Sequence, residues 1–97
     1  MVTDTPSEPP LRVTAWVRGE VQGVGFRWWT RAQALELGLV GWARNTQDGG
    51  VEIVAEGLVQ DCEELVRRAE SGATPGRVDS VVAQWSAPKG LEGFFER

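Results

Sequence analysis

Apolar and polar residues alternate from residue 11 to 18, with Leu11, Val13, Ala15 and Val17 on one side and Arg12, Thr14, Trp16 and Arg18 on the other. A period of two predicts a half-buried strand, with Trp16 packed on the open side of a sheet. Phe26 to Leu37 follows a helical period, with Phe26, Trp29, Ala34 and Leu37 on one face, Trp28 and Leu35 turned away, and Gly38 as the C-cap. Trp28 either covers an exposed patch or lines the mouth of a groove. Leu39 to Thr46 and Val51 to Glu56 predict two strands, and Asp48-Gly49 between them predicts an antiparallel hairpin with Asn45 near its tip.

Val59 to Glu70 carries Cys62, Leu65, Val66 and Ala69 at i, i+3, i+4 and i+7, which predicts a second amphipathic helix with Cys62 as a small core residue. Glu63 with Arg67 and Glu64 with Arg68 stand in the favourable i, i+4 order. Ser71 to Arg77 reads as a loop, Val78 to Trp85 as a fourth strand, and Leu91 to Arg97 as a short last strand after the break at Pro88-Lys89-Gly90. Residues 1–10, acidic and rich in proline, are expected to form a flexible tail ahead of one domain over 11–97. Strand, helix, strand, strand, helix, strand is the order of a ferredoxin-like α+β sandwich (βαββαβ), an antiparallel sheet with two helices on one face.

Composition narrows the chemistry. Among the 97 residues there is no histidine and one cysteine, so histidine-based acid, base and metal chemistry, serine and cysteine triads, and multi-thiolate metal sites are excluded. The net charge of −4 argues against a nucleic-acid partner. No apolar run approaches a membrane span and no signal peptide is visible, so a cytoplasmic protein without a membrane partner is expected. A domain this small buries roughly 60 to 65% of its unfolded surface, which leaves room for a shallow groove rather than a large cavity.

The candidate chemistry lies between the first strand and the first helix, in Gly19-Glu20-Val21-Gln22-Gly23-Val24-Gly25-Phe26-Arg27. Glycines at 19, 23 and 25 admit positive φ and bring backbone N–H groups close to a ligand. The following helix adds its positive pole and Arg27 a fork suited to phosphate oxygens. The segment reads either as a tight turn or as an anion cradle. The dinucleotide fingerprint fails because Trp28 stands where its third glycine belongs, and a Walker A loop fails because the sole lysine is Lys89. Asn45, by its position alone, is either a turn residue or a polar group of the site.

The cradle is one of five blocks: Gly-x-Val-Gln-Gly-Val-Gly-Phe-Arg (19–27), Leu-Gly-Leu-Val-Gly-Trp-Ala-Arg-Asn-Thr (37–46), Asp-Gly-Gly-Val-Glu (48–52), Glu-Gly (56–57) and Pro-Gly-Arg-Val-Asp (75–79). In this order, over about Leu11 to Trp85, the chain resembles the acylphosphatase family. The resemblance implies the ferredoxin-like fold and hydrolysis of the carboxyl-phosphate bond of acyl phosphates, with no cofactor and no metal. It also implies a phosphate-binding loop at Glu20, Val21, Gln22, Gly23, Val24 and Gly25, a phosphate-gripping Arg27 and a water-orienting Asn45. The expected partners are a small acyl phosphate, inorganic phosphate or other small anions, with the protein acting as a monomer. The alternative is a non-catalytic module of the same fold that binds a small anion, and an RNA-binding module is a third reading. One departure stands out: Phe94-Phe95-Glu96-Arg97 places Glu96 or Arg97 where the family has an apolar residue, which leaves the register of the last strand open.

Overall fold

A computed structural model describes residues 9–97. The elements are β1 (Leu11–Glu20), α1 (Phe26–Glu36), β2 (Val40–Asn45), β3 (Val51–Gly57), α2 (Val59–Glu70), β4 (Arg77–Ser86) and β5 (Phe94–Glu96). They form one five-stranded sheet in the order β4-β1-β3-β2-β5. Of the tail expected over residues 1–10, residues 1–8 lie outside the described residues, while Pro9 and Pro10 are exposed and belong to no element.

The pleat sorts the strands as the alternation predicts. Val13, Ala15 and Val17 of β1 stand opposite Ala55, Ile53 and Val51 of β3, and all six are buried. This face carries both helices, through Phe26 and Ala34 of α1 and Cys62, Leu65 and Ala69 of α2. On α1 the buried set is Phe26, Thr30 and Ala34, with Trp29 half-buried against the Phe26 ring at 5.5 Å. Periodicity in apolar residues passes over Thr30, whose hydroxyl is satisfied inside the helix by donating to the Phe26 carbonyl at 2.9 Å. On α2, Arg67 turns to Glu64 rather than to the expected Glu63, so Glu64 holds both Arg67 and Arg68.

The sheet departs from a purely antiparallel one at its edge. β4, β1, β3 and β2 pair antiparallel, but β5 runs parallel to β2, with Gly41 beside Phe94, Trp42 beside Phe95 and Ala43 beside Glu96. A parallel partner requires a crossover. Residues 87–93 make it, passing from the β4 edge to the β2 edge. Glu56, a carboxylate only 4% exposed, pins this passage. It accepts hydrogen bonds from Lys89 N at 2.8 Å, Leu91 N at 3.0 Å and Arg12 Nε at 2.8 Å. The register that results puts Phe94 in the core and leaves Glu96 and Arg97 exposed, so neither charge occupies an apolar site. The Arg97 guanidinium lies over the Trp42 ring, 4.3 Å from its centroid.

Candidate active site

The loop between β1 and α1 begins with an anchor. Val21 is buried in the core, while Gly23, Val24 and Gly25 are exposed. Gly23 and Gly25 have φ of 74° and 84°, and a Cβ on either would meet nothing within 4 Å. Glycine is needed there for its backbone conformation rather than for room, and the space above the loop is open. Gly19, by contrast, is not part of the cradle. It sits at a bulge between β1 and β4, where a Cβ would fall 2.0 Å from the Arg77 carbonyl oxygen.

Gly25 is also the N-cap of α1. No side chain caps this helix end and no acidic residue stands in its first turn. The first N–H groups of a helix have no intrahelical acceptor, so this end offers donors and a positive pole toward the open side of the loop. Glu20, the one carboxylate in the expected loop, is held away by an ion pair with Arg77.

Arg27 stands in the first turn of α1. Its Nη1 donates to the main-chain oxygen of Arg97 at 2.5 Å, and Arg97 N in turn donates to the Ala43 carbonyl, two residues before Asn45. Arg97, the residue that follows β5, thus links the Arg27 side chain to the end of β2. Among the described residues, Arg12, Arg18, Arg44, Arg67, Arg68 and Arg77 pair with Asp or Glu side chains, whereas Arg27 and Arg31 bond to main-chain oxygens instead, those of Arg97 and Phe94. That puts a cation with no Asp or Glu side-chain partner beside an uncapped helix end.

Asn45 is the last residue of β2, exposed and paired with Val51. The register puts it on the helix-bearing side, in line with Gly41 and Ala43 and opposite to Trp42 and Arg44. Beyond it the hairpin closes through Gly49 N to the Thr46 carbonyl at 3.3 Å and Thr46 N to the Gly50 carbonyl at 2.9 Å, with Gly49 at φ 91°. Asp48 accepts from the Thr46 hydroxyl and pairs with Arg18, and these contacts, the Thr46 hydroxyl first, hold its carboxyl below the usual range.

The structure therefore brings the expected loop, Arg27 and Asn45 to one end of the sheet, the β1–β3 end marked by Val17 and Val51. A cleft of about 350 Å³ between Pro10, Val40, Gly57, Pro88 and Leu91 lies at the opposite end of the strands. Periodicity and motif alone miss two contributions: the Gln22 side chain, which reaches the hairpin, and Arg97, just past β5, which steadies Arg27. Both act over long sequence separations, 24 and 28 residues for Gln22 and 70 for Arg27, so no local signal announces them. Cys62 is buried in the core, and burial first, then nearby Asp61 and Glu56, raises its pKa to about 11, which removes it as a nucleophile.

The chain is similar to known proteins over nearly its whole length. The sequence model of the acylphosphatase family matches residues 13–96. A protein named acylphosphatase from Thermobifida fusca is 64% identical over 88 residues, covering 90% of this chain and 97% of that one. Another, from Mycobacterium sp. (strain KMS), is 60% identical over 92 residues, covering 94% and 98%. The crystal structure of acylphosphatase from Bacillus subtilis superposes with a TM-score of 0.84 at 33% identity, covering 90% of this chain and 98% of that one.

Proposed function

The chain belongs to the acylphosphatase family, and from that premise we propose that it hydrolyses acyl phosphates to carboxylate and inorganic phosphate, with Arg27 gripping the phosphoryl group and Asn45 aiming the water. The observation that carries this reading is the uncapped N-terminus of α1, with two left-handed glycines before it and, in its first turn, an arginine paired with no Asp or Glu side chain.

An acyl phosphate has a good carboxylate leaving group, so a strong general acid is not required. The catalyst must hold the phosphoryl group and place a water in line with the leaving oxygen. Backbone N–H groups between Gln22 and Gly25 and at the start of α1 surround the phosphoryl oxygens. Arg27 gives one of its five N–H groups to Arg97 and keeps the rest for the ligand. The Asn45 amide accepts a hydrogen bond from the attacking water without setting a second negative charge against a dianionic substrate. None of these roles calls for a metal or a cofactor. The exposed loop grips mainly phosphate, so small acyl phosphates are the substrate class and inorganic phosphate is the natural competitor. The same reading has the protein act as a cytoplasmic monomer with neither nucleic acid nor membrane as partner. No helix of the described residues is long and apolar enough to cross a membrane.

The test is hydrolysis of benzoyl phosphate in excess EDTA. Disappearance above background supports the enzyme. Saturable phosphate binding with no turnover would instead select an anion-binding module of the same fold.

A further inference from the structure

Gln22 lies between the buried Val21 and the left-handed Gly23, in the loop whose backbone forms the cradle. Its side chain is used elsewhere. Nε2 donates to two carbonyl oxygens, Thr46 at 2.8 Å and Gly50 at 2.8 Å. An amide nitrogen has two hydrogens, so both are committed to the hairpin. The acceptors are not arbitrary: Thr46 follows Asn45 on one strand, and Gly50 precedes Val51, the residue paired with Asn45, on the other. One side chain thus spans the mouth of the hairpin immediately beyond the pair that contains Asn45. The same two carbonyls also close the hairpin, through Gly49 N and Thr46 N, so Gln22 holds the carbonyls that the turn itself uses.

We infer that Gln22 is a positioning residue that locks the phosphate loop to the β2–β3 hairpin and thereby sets the placement of Asn45 relative to the cradle. The inference rests on the roles of Arg27 and Asn45 proposed above. A displacement of about 1 Å between a reacting group and its partner is enough to cost on the order of 100-fold in rate, so a clamp between the two halves of the site has leverage on turnover. The residue type follows from the acceptors. Glutamate would aim oxygens at oxygens, leucine would leave two carbonyls without this donor, and serine or threonine is too short to span both strands.

The experiment compares the unmodified protein with Gln22→Leu, Asn45→Ala and the double variant, measuring kcat and KM for benzoyl phosphate and inhibition by inorganic phosphate. Gln22→Leu is expected to lower kcat by roughly 10- to 100-fold and to change phosphate inhibition by less than about 3-fold. The double variant is expected to match Asn45→Ala within about 2- to 3-fold, because the clamp acts through Asn45. Losses that multiply in the double variant, or a loss seen wholly in phosphate affinity, overturn the inference while leaving the function intact. No turnover by the unmodified protein, or full turnover by Asn45→Ala, overturns the underlying reading and the clamp with it. Gln22→Glu serves if the leucine variant fails to fold. Two facing carbonyls raise the pKa of that carboxyl, so its kcat relative to the unmodified protein should climb from about pH 8 to about pH 5 as one donor returns. A flat ratio contradicts the clamp.

Discussion

Arg27, in the first turn of α1, donates a hydrogen bond through Nη1 to the main-chain oxygen of Arg97 at 2.5 Å, so the arginine proposed to grip the phosphoryl group is steadied by the residue that follows the last strand. This contact uses one arm of the guanidinium fork, on the main-chain oxygen of Arg97. Lysine keeps the charge but has no such fork. Arg27→Lys should therefore lower kcat for benzoyl phosphate by at least about 10-fold and weaken inhibition by phosphate, because one ammonium cannot serve both partners. A lysine variant with unchanged constants would show that charge alone suffices.

The loop glycines make a prediction about stability that is separable from chemistry. Gly25 is left-handed with open space where a Cβ would go, so Gly25→Ala meets strain but no clash and should cost about 1–2 kcal/mol. Asparagine tolerates that conformation better, and Gly25→Asn should unfold in urea at a higher midpoint than Gly25→Ala. Gly76 differs: a Cβ there would lie 2.0 Å from the Glu20 carbonyl oxygen. Gly76→Ala must displace Glu20 at the start of the loop proposed to bind phosphate and should lose both stability and phosphate affinity. Equal urea midpoints for all three variants would refute this account of the glycines.

Glu56 holds the crossover that delivers β5 to the edge of β2, and so supports Arg27 at a distance. Burial pushes its pKa up, but the N–H groups of Leu91 and Lys89 and the Arg12 guanidinium outweigh that and hold it below the usual carboxylate value. A folded pKa below the unfolded one means its contribution is complete above the unfolded value and is lost as pH falls through the folded value. Glu56→Ala should cost about 3 kcal/mol at neutral pH, since it leaves the mostly buried Arg12 and two backbone donors unpaired. In urea titrations the penalty should shrink below about pH 4. A penalty that stays constant across that range would show that packing, not charge, pins the crossover.

Cys62 should resist thiol reagents in the folded protein. With a pKa near 11 and no exposure, it should react at about pH 8 at least roughly 100-fold more slowly than in the urea-unfolded chain. Because its folded pKa is raised, its stabilising effect is complete below the unfolded thiol value and is lost as pH rises toward the folded one. Equal labelling rates in the two states would place the thiol outside the core.

Local pattern was enough for most of the fold. The i, i+3, i+4, i+7 row of Cys62, Leu65, Val66 and Ala69 defines α2 over the span observed, because one element buries one continuous stripe. The alternation in β1 assigns Val13, Ala15 and Val17 to the core for the same reason, and Asp48-Gly49 marks the turn that Gly49 makes with positive φ. What local pattern could not reveal was set by contacts far apart in sequence. The parallel pairing of β5 depends on a crossover pinned by Glu56 from 33 and 35 residues away, and three residues of strand carry too little periodicity to declare a register. In the site, the loop, Arg27 and Asn45 were visible as motif residues. The Gln22 clamp was not, since its partners are backbone carbonyls, and any residue type could supply those.

The central claim, that Arg27 grips the phosphoryl group while Asn45 aims the water, is tested most directly by kcat for benzoyl phosphate and phosphate inhibition measured side by side in Arg27→Ala and Asn45→Ala. Arg27→Ala should lose about 100-fold or more in turnover and bind phosphate poorly. Asn45→Ala should lose turnover on a similar scale while phosphate inhibits it as well as it inhibits the unmodified protein. Loss of phosphate inhibition in Asn45→Ala, or normal turnover in Arg27→Ala, would contradict the division of roles.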